Sequence, residues 1–141
     1  MLKKMDKNLR FAMVFLLAAM VGTVIVLLMF LLFRIDAGVG GVAFAVPLIA
    51  GMFSGQWHFQ EHGQPTNYDM WMESLRFGGI GLVVGALMGA LVLASPQNAD
   101  LIASIPIWGW LAAVVGFYGL MVFGVRLGFG IGVRSAANKG A

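Results

Sequence analysis

Two histidines and a glutamate are the residues of this chain nearest to usable chemistry. His58-Phe59-Gln60-Glu61-His62 follows the H-x-x-E-H order of an inverted zincin. On a helix, His58 and His62 at i and i+4 share a face and can hold zinc, with Glu61 as general base. Asp69 or Glu73, a few residues further on, can complete a non-catalytic metal or proton site with them. Against this, five residues match often by chance, and a zincin needs a third ligand and a substrate chamber that a chain this short does not accommodate. The plainer expectation is a polar helix end whose histidines meet water and lipid headgroups. Ser54 and Thr23 stand isolated in apolar stretches with no base evident. Cysteine is absent, which excludes disulfides, thiolate metal sites and thiol catalysis. We therefore expect no enzyme, no catalytic residue and no cofactor, and keep His58, Glu61 and His62 as candidate metal ligands.

The elements that must carry these residues are dictated by composition. Of 141 residues, 60% are hydrophobic and 11% charged, and the mean hydropathy is +0.91. A soluble domain is about a quarter charged, so too few polar side chains exist to coat a globule in water. Net charge is +3, but the basic residues flank apolar runs and form no patch for nucleic acid. The expected partner is a lipid bilayer.

Four apolar segments are long enough to cross one, at about 11–33, 39–57, 77–94 and 105–125. The first follows Lys3, Lys4, Lys7 and Arg10 and ends at Arg34 and Asp36. It runs for 23 residues, beyond the about 7–15 of a signal-peptide apolar core, and is expected to stay as an uncleaved span. In the second, Pro47 predicts a kink, and Gly51 and Gly55 share a face. Gly63 then offers a helix stop, Pro65 bars continuation, and Thr66 with Asp69 resembles a capping box. This predicts a short helical hairpin joining spans two and three outside the bilayer. Trp57, Tyr68 and Trp71 suit the interfacial aromatic belt. Span three carries Gly81, Gly85 and Gly89 at four-residue spacing, which lets a second helix approach closely. That row serves either an oligomer seam or internal packing, and a bundle needs internal seams in any case. Residues 95–100 read as a short loop, and 135–141 as a loose tail after Arg126 and Arg134.

Eight of the nine Lys and Arg residues fall at the two ends of the chain and in the central link; Arg34 is the exception. By the positive-inside rule both termini and the hairpin lie in the cytoplasm. No ionisable residue falls well inside a span, which argues against a proton- or cation-coupled carrier acting as a monomer. Glu73 and Arg76, three apart, can pair, but the plainer expectation for Asp69, Glu73 and Arg76 is a solvated helix face. Gln56, Glu61, His62, Gln64, Asn67, Asp69 and Glu73 hold most of the chain's side-chain variety and are the candidate docking surface for a partner.

The stretch Ala50-Gly51-Met52-Phe53, then Glu61-His62-Gly63-Gln64-Pro65-Thr66, then Glu73 and a glycine-rich span resembles the core pattern of the ABZJ-type family. These are small four-span bacterial membrane proteins without an assigned activity. The resemblance implies fold and a bacterial inner membrane but no reaction. Gln64 departs from the family's Arg, so no basic contact is carried over there.

The expected fold is an all-α, four-helix transmembrane bundle forming one domain over residues 1–141. The expected role is a non-catalytic accessory or assembly subunit acting through a membrane protein partner. The alternatives are a small channel or carrier formed as a homo-oligomer along Gly81, Gly85 and Gly89, and a metal-binding membrane protein.

Overall fold

In the computed structural model the described backbone comprises residues 4–34 and 38–140. Lys3, Asp36, Ala141 and the side chains of 38–40 and Val92 lie outside the described residues. Asp6 caps the first helix, α1 (Lys7–Phe33), by accepting from the Asn8 N–H at 3.2 Å. Arg34 closes it in the left-handed conformation, φ 56°, its N–H reaching the Met29 and Phe30 carbonyls.

The second helix, α2 (Gly38–His62), runs unbroken through Pro47, whose ring is fully buried. It stops where the sequence predicts: Gly63 adopts φ 78° and its N–H bonds the Phe59 carbonyl at 2.9 Å. Glycine takes that conformation without strain. The third helix, α3 (Asn67–Leu93), opens with the expected cap. Asp69 N–H donates to Thr66 Oγ1 at 3.1 Å, while Asp69 Oδ2 accepts from Thr66 N–H at 3.0 Å and its hydroxyl at 2.8 Å.

The link expected as a plain loop contains a 3-10 turn (Pro96–Asn98) and a short helix, α4 (Ala99–Ser104). The last helix, α5 (Ile107–Gly140), corrects the expectation of a loose tail, because it continues through Ser135 to Gly140. Its 34 residues span about 51 Å at 1.5 Å per residue. A hydrocarbon core is about 30 Å thick, so part of α5 must lie beyond it. The extra turns are ordered because Gly132 and Val133 are buried against the bundle and residues 135–137 are half-buried.

Helix order is set by α2 and α5, which form the most extensive pair. They run parallel: Gly51 faces Val125, Gly55 faces Phe129, and Gly128 and Gly132 face the Leu48 and Met52 carbonyls. At these four positions the two backbones are too close for any side chain. Pro47 lies over Gly124, where an added Cβ would sit 3.0 Å from Pro47 Cγ. α3 packs on α5, and α1 closes the square against α2 and, less extensively, α3. α2 and α3 barely touch although they are consecutive. The arms of the expected hairpin are therefore splayed across the bundle.

The space between those arms is taken by the start of α1. Phe11 stacks on Phe77 at 4.4 Å, and Phe15 lies over Gly81. With Val46, Ala50, Met121, Val125 and Phe129 they form the core. The core sits toward one end of the helices. At the other end Leu32, Leu91 and Trp108 are among the most exposed side chains. Such faces are unfavourable in water and ordinary in lipid.

Candidate functional site

The polar residues converge at the packed end, where α1 begins, α2 ends and α3 begins. Lys7, Arg10, Phe11 and Phe15 occupy one helical face of α1, and that face inserts between α2 and α3. The Arg10 guanidinium grips Glu61 in a two-pronged ion pair, Nη1–Oε1 2.6 Å and Nη2–Oε2 3.0 Å. It also lies over the Trp57 ring, 5.2 Å from the centroid. Lys7 Nζ pairs with Glu73 Oε1. Glu73 is thus half-buried and paired instead of lying on the expected solvated face, because α1 brings a cation into the space that it faces. The His58 and His62 rings stack at 4.9 Å, and the edge of Phe129 from α5 meets His58 at 5.5 Å.

The four charged groups, both histidines, the buried Ser54, Trp57, Phe77 and Phe129 line a partly open cleft of about 20 Å³. Both Glu61 oxygens are committed to Arg10. Among the described residues no group of three His, Cys, Asp or Glu side chains is placed to hold a metal ion. The structure thus brings His58, Glu61 and His62 to one helix end, but turns Glu61 to a cation from another helix.

The candidate docking residues divide. Glu61 and Glu73 are in ion pairs, and Asp69 is in the α3 cap. Asn67 Oδ1 accepts from Arg126 Nη2 at 2.7 Å, with Arg126 lying over Trp71 at 5.4 Å. His62 and Gln64 are exposed and Gln56 is half-buried. The packing residues divide as well. Gly51 and Gly55 meet the α5 backbone; Gly81 faces Phe15 and Met121, and Gly85 faces Phe117. Gly89 has nothing within 4 Å of an added Cβ.

Lys7 and Arg10, orientation signals by sequence, are in the structure the partners of Glu73 and Glu61. The i, i+3 spacing of Lys7 and Arg10, in phase with Phe11, was the available signal. Ser54, Phe129 and Arg126 also fall outside the site that the sequence suggests. A second cavity is wholly apolar, a furrow of about 450 Å³ between α1 and α2 floored near Gly22 and Val42. In a bilayer it opens onto lipid.

The fold and this charge-paired end define the class: the described residues are all-helical, with four helices among them long and apolar enough to cross a membrane, the pattern of a multi-pass membrane protein. No family model, curated protein or solved structure matches the chain.

Proposed function

We propose that this chain is a non-catalytic accessory or assembly subunit of a bacterial inner membrane, with both termini and the 63–66 link in the cytoplasm. The carrying observation is how its charged end is built. Lys7, Arg10, Glu61 and Glu73 neutralise one another in two pairs, each with one partner largely buried and one partly exposed, and the cleft they share, about 20 Å³, is far below the roughly 300–1,000 Å³ of a small-molecule site. Outside, Tyr68 is 72% exposed beside exposed Trp71 and Met72 on the first turns of α3. The capped start of α3 and the α1 ion pairs brace this surface. A rigid polar-aromatic rim above apolar spans suits docking of another membrane protein. The resemblance to the ABZJ-type family belongs to this same proposal.

Native mass spectrometry of the gently extracted protein, with metal content read from the same sample, tests it. A stoichiometric foreign subunit, lost when Gln64 and Tyr68 are changed to Ala, is the expected result. A metal-bound monomer would overturn it in favour of the metal reading.

The channel reading predicts instead a metal-free homo-oligomer. Gly81 and Gly85, two of the three glycines of its proposed seam, are covered by Phe15, Met121 and Phe117 of the same chain. Water-soluble thiol reagents reaching cysteines placed along α3 at membrane depth would favour it nonetheless.

A further inference from the structure

Two residues that line the cleft each carry a buried atom without a hydrogen-bond partner among the described residues. Arg10 is only 4% exposed, yet its Nε has no hydrogen-bond partner among the described residues. Glu73 Oε2, on a side chain 13% exposed, is also without one. Both residues line the cleft, together with Lys7, Ser54 and His58. Buried polar atoms in folded proteins are almost always bonded, to protein or to ordered water. By the same measure of volume, one water needs about 10–15 Å³. The cleft's about 20 Å³ is room enough for one. Its charges are two cations and two carboxylates, so an ion of either sign would meet its own kind.

We propose that this cleft is a binding site for a single water. The water accepts from Arg10 Nε–H, and it donates to Glu73 Oε2 and to a ring nitrogen of neutral His58. Three such bonds are usual for a buried water. It joins the Arg10–Glu61 and Lys7–Glu73 pairs, which share no direct hydrogen bond, into one network at the junction of α1, α2 and α3. The site stands whether or not a partner docks outside.

X-ray radiolytic labelling of the native chain in lipid nanodiscs tests this, because a trapped water is split in place and oxidises the side chains around it. Phe77 and Phe129 line the cleft and are 3% and 1% exposed. Phe15, equally buried at 3%, lies outside it and is the internal control. Phe77 and Phe129 are expected to be oxidised severalfold faster than Phe15. Equal rates at all three overturn the site. A second arm uses Ser54→Val, which replaces the hydroxyl with a methyl group and adds a second methyl at the cleft wall. In the folded variant the excess labelling is expected to vanish, and its persistence overturns the placement. If that variant fails to fold, the comparison within the native chain still decides.

Discussion

Arg10 on the first turn of α1 and Glu61 on the last turn of α2 meet as a two-pronged ion pair across 51 residues of sequence. The pair is unequal. The Arg10 side chain is 5% exposed and the Glu61 side chain 34%. Most of α1 faces outward, with only Arg10, Phe11, Phe15 and Ala19 buried. Its attachment therefore rests on its first turns, where a charged bidentate bond is stronger than a neutral one.

That inequality predicts asymmetric costs. Glu61→Gln leaves a buried cation poorly paired and is expected to lower stability by about 1–3 kcal/mol. Arg10→Met keeps the apolar stem and leaves Glu61 partly open to water, so it should cost less. Reversible unfolding in mixed micelles, followed by far-ultraviolet circular dichroism, compares the two. A larger loss for Arg10→Met would show that the pair is not organised as described.

The second pair lends itself to reversal. Glu73→Lys places a third cation beside Lys7 and Arg10 and should destabilise the junction. Adding Lys7→Glu should recover about 1 kcal/mol, since the Lys7 side chain is partly exposed and the pair is screened. No recovery in the double variant, by the same unfolding measurement, would mean that Lys7 and Glu73 do not meet.

Glycines of the same spacing should respond in opposite directions. Gly128→Ala pushes a methyl into the Leu48 carbonyl on α2. It is expected to cost about 1–3 kcal/mol through overpacking. Gly89→Ala meets nothing within 4 Å. It should be neutral or add up to about 1 kcal/mol from helix propensity. Destabilisation at Gly89 in the extracted monomer would place an unseen contact on α3.

The absence of cysteine makes orientation directly measurable. Single cysteines at Gln64 and Gln97 sit on links at opposite ends of α3. An impermeant maleimide added to intact cells should label Gln97→Cys alone, and Gln64→Cys only after lysis. Labelling of both from one side would defeat the four-span topology, and the reverse pattern would invert it.

How much of this was legible before folding depends on the range of the interaction. Gly63, Pro65 and the Thr66–Asp69 cap act within four residues, so the end of α2 and the start of α3 could be read from local pattern. The apolar runs were legible because a bilayer sets their length. The end of α5 was not. Gly124, Gly128 and Gly132 are poor helix formers read singly, yet in place they are the surface on which α2 lies.

By itself, then, the sequence determined four apolar runs of bilayer length, the end of α2, the cap of α3 and the clustering of charge near the ends of the runs, since each follows from solvent preference or from neighbours in the chain. Only tertiary structure decided that α2 pairs in parallel with α5, that consecutive α2 and α3 lie apart, and that Lys7 and Arg10 fill the space between them. A charge shows its sign in sequence, but its partner is chosen by which side chains reach the same height in the bundle. A glycine likewise shows only that a close approach is permitted, and the facing backbone determines whether one occurs.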